Sequence, residues 1–409
     1  MQKAYRRTVI LSIIALSIIV PIPLLAQAPD LNHMHVRAPI RISDAPPDPG
    51  TPKGILPVQF RAAYGFNRIP NQGKGQTIAI IDAYIDPFLQ SDVASYLSYF
   101  HLQSCNFHVV TVGHPLNGQG WDLEESLDAE QVCALAPQAN VLLFAANSDS
   151  LADMLTAVQV ATSAPYNATV VSMSWGYHEF QGEQALDSYF CNIFNTNGAV
   201  TFVAASGDLG HQQVPYYPSA SPCVIAVGGT TLALSTAVPL ANPLALDYGN
   251  ETTWNDSTGG ISPYESGPPW QDGIFSGCGS TGMRCIPDVS SHSNPNPGVP
   301  VYDSYGYGGW VQVGGTSIAS PDWAAFFTLV NAMRAAANPP KDTLSQAVQD
   351  LYAIYESSSY LTDFHDITQG DNNGNCGAAC LPAPGYDLIT GIGSYQANVL
   401  APALVAAPN

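Results

Sequence analysis

Three observations predict a doubly wound α/β fold, with a mostly parallel sheet flanked by helices and with long surface loops. Short apolar runs at 77–81, 141–145, 169–173 and 200–204 have the length and character of strands buried on both faces. Between them, 87–99, 123–135, 151–162 and 184–194 read as helices. Strands that alternate with helices of this length form βαβ units, which wind helices onto both faces of a parallel sheet. Beyond Gly228 the chain is rich in Gly, Pro, Ser and Tyr and reads as surface loops, until a helical run at 319–337 follows Ser317. In open α/β sheets the site lies at the carboxyl ends of the strands, so chemical residues are expected just after them.

The 409 residues are 46% apolar, enough for a large core. Acidic residues outnumber basic ones by 32 to 12, for a net charge of -20. That balance excludes nucleic acids and anionic membrane surfaces as partners, because both need clustered Lys and Arg. Residues 1–28 read as a signal peptide: Lys3, Arg6 and Arg7 precede an apolar stretch over 8–25, and Ala26 and Ala28 suit cleavage. No later segment is apolar and long enough to span a bilayer, so a secreted protein without stable membrane association is expected. Residues 29–51 read as a Pro-rich linker or short pro-segment. Export permits disulfides among the eight cysteines. Cys278 with Cys285 and Cys376 with Cys380 could close small loops, and Cys105 with Cys133 and Cys191 with Cys223 would complete the set, although the connectivity stays open. Zinc is disfavoured, since there is no CxxC pair and no histidine at ligand spacing.

Gly314-Gly315-Thr316-Ser317-Ile318-Ala319-Ser320-Pro321 is the sharpest local signal. The glycines allow a tight turn and leave Ser317 in the first turn of a helix, where its N–H is unpaired and can face a developing oxyanion. Pro321 suits an early helical position. A bare helix cap is the competing reading. A nucleophilic serine needs a base, yet none of the nine histidines has a suitable setting: His114 precedes a proline, and His178, His211 and His365 fall in expected loops. Asp82 ends the first strand, but no histidine completes a Ser-His-Asp set. Carboxylates offer another route. Glu124 and Asp128 lie four apart on the 123–135 helix and share a face. Two such acids repel when both are ionised and do better by sharing a proton, which suits a base that works in acid. A solvated acidic face is the plain alternative.

Four segments together resemble a known family. Glu124-Glu-Ser-Leu-Asp128, Ser172-Met-Ser-Trp175-Gly176, Ala205-Ser206-Gly207-Asp208, and Gly315-Thr316-Ser317 with Pro321 resemble, in order, the ExxLD, SWG, SGD and nucleophile motifs of the sedolisin family of serine-carboxyl peptidases. The resemblance covers 52–409 and implies a subtilisin-like peptidase domain acting on polypeptides at acidic pH, as a monomer. It implies Ser317 as nucleophile, Glu124 as general base, Asp128 as the acid that positions Glu124 and shares its proton, and a protonated Asp208 as oxyanion donor. Asp82 matches a position where some members carry a supporting acid, although a structural role is the preferred reading. Asp366-Ile367-Thr368 and Pro384-Gly385-Tyr386-Asp387 resemble the family's calcium site, which implies one Ca²⁺ held by the side chains of Asp366 and Asp387 and the carbonyls of Ile367, Ala383 and Gly385. The family usually has glycine at the position of Ala383. Members also commonly carry a large N-terminal pro-domain, whereas only 29–51 separates the signal-like segment from the domain here, so folding without one or with help in trans is expected. An inactive secreted binding protein on a peptidase scaffold is the alternative function. The intact set of Ser317, Glu124, Asp128 and Asp208 argues against it.

Overall fold

The computed structural model describes residues 29–44, 48, 50–210, 215–235, 248–371 and 381–408. The signal-like segment, His211 and the Cys376/Cys380 pair lie outside them. Eight strands form the central sheet. Across it run Tyr248–Thr253, Ile225–Leu234, Thr201–Ala205, Val170–Met173, Thr77–Ala83, Asn140–Ala146 and Asn106–Val112, with Val289–His292 also pairing Ile225–Leu234. All neighbours are parallel except Tyr248–Thr253, which runs antiparallel. Thr77–Ala83 lies between Val170–Met173 and Asn140–Ala146. The winding reverses there, which opens a crevice at the strand's carboxyl end, where Asp82 sits.

The period-two alternation of a strand sorts residues onto two cores. Ile78 and Ile80 join the core containing Leu123, Leu127, Ile318 and Trp323, whereas Ala79, Ile81 and Ala83 join that of Leu151, Met154 and Val158. Asp82 shares the parity of Ile78 and Ile80. It therefore points at the face covered by the helices Asp122–Leu135 and Thr316–Ala335.

Four details depart from the sequence reading. Residues 184–194 are not an α-helix: a 3-10 helix spans Glu183–Tyr189 and the chain then turns, with Cys191 tied to Cys223. The region after Gly228 is not only loops. It contributes Tyr248–Thr253, Gly260–Ser266, Met283–Ile286, Val289–His292, Val299–Asp303 and Gly309–Gly314. Its strands hide because close packing demands small residues; a Cβ on Gly229 would lie 2.6 Å from the Trp254 ring. The strand Asn106–Val112 was not foreseen: it is an edge strand, mostly exposed or half-buried. The helix expected over 319–337 spans Thr316–Ala335, which puts Pro321 at its sixth position. Its missing N–H frees the Ser317 carbonyl, which accepts from Ser174 Oγ at 3.4 Å instead. Three disulfides pair Cys105 with Cys133, Cys191 with Cys223 and Cys278 with Cys285.

The stretch before the domain is carried on it. Met34 and Val36 are buried, and Arg41–Ile42 pairs antiparallel with Gly309–Gly314.

Candidate active site

Two helices and two strand ends build the site. Gly315 caps Thr316–Ala335 with φ 112° and ψ 159°, a conformation essentially confined to glycine. Ser317 is the helix's second residue, so its N–H has no partner within the helix. Glu124 and Asp128 lie one turn apart on Asp122–Leu135, a helix in which every residue is buried. Asp208 follows Thr201–Ala205. Its Oδ1 accepts from the Thr316 N–H at 2.8 Å and from Thr316 Oγ1 at 2.9 Å. Its Oδ2 has no hydrogen-bond partner and faces Gly315, where an added Cβ would approach it to 2.8 Å.

Burial dominates the electrostatics. Ser317, Asp82 and Asp128 are fully buried and Glu124 is 1% exposed. Burial pushes the Glu124 carboxyl well above its usual range; Asp82 and Asp208 push it further, and the Ser317 hydroxyl opposes them. Neither Glu124 oxygen nor Ser317 Oγ has a hydrogen-bond partner of normal geometry, yet the hydroxyl is near enough to favour ionised Glu124. Asp128 is raised by burial, then by Asp82 and Glu124. Burial alone lifts Asp82 to about 7. Asp208 also reaches about 7 through burial, although the Thr316 hydrogen bonds and Arg41 favour its charged form. Asp82, Glu124 and Asp128 thus form one buried carboxyl cluster that cannot ionise fully and must hold protons. The chemistry available to it is proton transfer between carboxyls beside a hydroxyl nucleophile, with Asp208 Oδ2 and the Ser317 N–H as donors.

Residues 118–354, more than half of the chain, match the model of the subtilase family. Sedolisin from Pseudomonas sp. (strain 101) is 29% identical over 85% of this chain and 60% of its own length. Kumamolisin from Bacillus sp. (strain MN-32) is 30% identical over 84% of this chain and 62% of its own. A solved structure of Pseudomonas sedolisin, a serine-carboxyl proteinase complexed with two molecules of pseudo-iodotyrostatin, aligns with a TM-score of 0.70 at 27% identity, covering 86% of this chain and 98% of that one. This chain belongs to the sedolisin family, within the subtilases. It spans about three fifths of the length of the curated relatives, at 60% and 62%.

Against that sedolisin background, the structure brings Ser317, Glu124, Asp128 and Asp208 into one buried locus. Asp82 belongs to it as well, since its charge bears on both Glu124 and Asp128. Sequence reasoning missed Asp322. It is fully buried one and a half turns beyond Ser317 and adds to the field on Asp128. Its place just after Pro321 was the available signal. The metal-site residues also converge. The Gly385 N–H donates to Asp366 at 3.1 Å, and the Ala383 N–H to Asp387 Oδ2 at 3.2 Å. Asp387 is 2% exposed, and burial raises its carboxyl to about 6. No described backbone N–H reaches the carbonyls of Ile367, Ala383 or Gly385. Three carbonyls without a described backbone donor, beside two carboxylates, one of them buried, are an oxygen set that fits Ca²⁺.

Proposed function

We propose that this chain is a secreted serine-carboxyl peptidase that hydrolyses polypeptides in acid through an acyl-enzyme on Ser317. The observation that carries the reading is the asymmetry of Asp208: Oδ1 takes two donors, while Oδ2 accepts no hydrogen bond, is buried and lies against Gly315, with Arg41 Nε 3.7 Å away. An oxygen saturated with donors cannot hold the proton, so a neutral Asp208 carries it on Oδ2 and offers it to an oxyanion. Ser317 Oγ attacks the scissile carbonyl and Glu124 takes its proton. Glu124 then gives that proton to the leaving amine, and a water releases the acyl group by the same relay. Asp128, backed by Asp82, keeps a shared proton at Glu124.

Asp366, Asp387 and the carbonyls of Ile367, Ala383 and Gly385 would hold one Ca²⁺, whose charge would neutralise the buried Asp387. Secretion is supported by the three disulfides, and among the described residues no helix is long and apolar enough to cross a membrane.

The test is kcat/KM against pH on an unfolded polypeptide, for wild type and Ser317→Ala. Activity is expected to peak at roughly pH 3–5, bracketed by carboxyl pKa values, and to disappear near neutrality. Ser317→Ala is expected to lose about 10⁶ in rate while remaining folded. A wild-type optimum at or above about pH 7 would refute a protonated Asp208. A folded wild type with no turnover at any pH would favour the binding-protein alternative.

A further inference from the structure

Apart from the carboxyl cluster beside Ser317, the described residues hold a second group of buried acids. Asp86, Asp92 and Asp303 each bring an oxygen within 4.8 Å of the others. They come from three elements. Asp86 follows the strand Thr77–Ala83, Asp92 lies in the helix Leu89–Tyr99, and Asp303 ends the strand Val299–Asp303. Asp86 and Asp92 are 2% exposed and Asp303 is fully buried. Asp122, the first residue of the helix that carries Glu124, meets them at the tip of the hairpin. A Cβ on Gly306 would collide with Asp122 Oδ2 and lie 2.8 Å from Asp303 Oδ2.

Protein donors satisfy only part of this group. Asp86 Oδ1 accepts from the Phe88 N–H at 2.7 Å, and Asp303 Oδ1 from the Gly306 N–H at 2.7 Å. The Ser304 N–H and hydroxyl donate to the two oxygens of Asp92, each at 2.8 Å. Asp86 Oδ2 and Asp303 Oδ2 are buried and have no hydrogen-bond partner. None of the described ion pairs involves any of the four acids. A buried carboxylate is kept by a charge partner or a metal, and the side chains here supply no cation. The spacing suits Ca²⁺, because two oxygens that each lie about 2.3–2.6 Å from one ion are at most about 5 Å apart. Mg²⁺ demands a tighter octahedron.

We propose that Asp86, Asp92 and Asp303, with Asp122 beside them, form a second Ca²⁺ site, separate from Asp366 and Asp387. The ion takes the free Oδ2 of Asp86 and of Asp303. It takes an oxygen of Asp92 as well, since a carboxylate oxygen that accepts one hydrogen bond keeps a second lone pair. Water completes the shell. One ion at this point joins three segments that position the chemistry. Thr77–Ala83 carries Asp82, and Asp122–Leu135 carries Glu124 and Asp128. Val299–Asp303 pairs with Gly309–Gly314, which runs into Gly315 and Ser317. The proposal rests neither on the peptidase reading nor on the Asp366 and Asp387 site.

The experiment takes the full chain, stripped of metal with a chelator and brought to about pH 7, because protons compete with a cation for carboxyl oxygens. Bound Ca²⁺ is counted after equilibrium dialysis against about 1 mM CaCl₂, a concentration at which extracellular sites fill. Wild type is expected to hold two ions and Asp366→Ala one. In Asp86→Asn and Asp303→Asn the amide oxygen keeps the bond from Phe88 or Gly306, and the NH₂ replaces the free oxygen. Both are therefore expected to fold, as near-UV circular dichroism checks, and to hold one ion fewer than wild type. In Asp366→Ala, CaCl₂ is expected to raise Tm by mass action, and the rise is expected to vanish in Asp366→Ala/Asp303→Asn. An equal count in wild type, Asp86→Asn and Asp303→Asn overturns the proposal. So does an Asp366→Ala variant whose Tm ignores CaCl₂, and loss of an ion in that variant would then leave the other site standing.

Discussion

At the scale of the residue, the site depends on which oxygen of a carboxyl is free. Asp208→Asn keeps a neutral donor at every pH, but the amide presents its NH₂ only if its oxygen takes the two Thr316 donors. The variant is expected to lose about 10²–10³ in kcat, as for one missing oxyanion donor, and to decline less steeply as pH rises. A pH profile as steep as wild type would mean that a different proton sets the basic limb. Glu124→Gln and Asp128→Asn are each expected to cripple turnover, with the double variant scarcely worse than the poorer single, because they serve one shared proton. Glu125 makes an internal control. Its Oε2 accepts from the Asp86 N–H, so Glu125→Gln is expected to spare kcat. Steady-state kinetics on the four variants checks the set.

At the scale of the element, backbone conformation positions the chemistry. Gly315→Ala places a Cβ in an essentially glycine-only conformation, 2.9 Å from the Ile40 Cα. Denaturant titration is expected to register a loss of about 1–3 kcal/mol. Turnover is expected to fall as well, because the Ser317 N–H follows the helix start. The 383–387 loop is arranged around two carboxylates, Asp366 and Asp387. Chelation or Asp366→Ala is expected to lower Tm, since a ligand bound to the native state alone stabilises it by mass action. Equal melting curves, once loss of the ion is confirmed by metal analysis, would dismiss the calcium site.

At the scale of the whole molecule, the chain is built to keep protons inside. Burial raises Asp82, Asp208 and Asp303 to about 7. It raises Glu265 to about 8, with Asp187 adding to the effect. A carboxyl whose pKa is higher folded than unfolded binds its proton more tightly in the native state. Its contribution is complete below the unfolded value of about 4 and is lost as pH rises through the folded value. Tm is therefore expected to be highest near pH 3–4 and to fall across about pH 4–8, the reverse of ordinary acid denaturation. Calorimetry across that range tests it, and a Tm that rises toward neutrality would contradict it. Arg284 and Asp288, both fully buried, pair at 2.6 Å in the same interior.

The sequence alone determined the alternation of strands and helices, because buried parallel strands are continuous apolar runs that local pattern can expose. It also determined the order of the motifs and the shared face of Glu124 and Asp128, which a helical period dictates. The Gly- and Ser-rich strands after Gly228 were not legible, because their small residues answer to neighbours such as Trp254 rather than to any periodicity. The part of Asp82 in the carboxyl cluster was likewise decided by tertiary structure, since strand parity had to meet a helix arriving from elsewhere in the chain. So was the course of residues 35–42: a segment held through its backbone leaves little trace in its side chains, and only the folded cleft shows that Pro39 lies against Ser317.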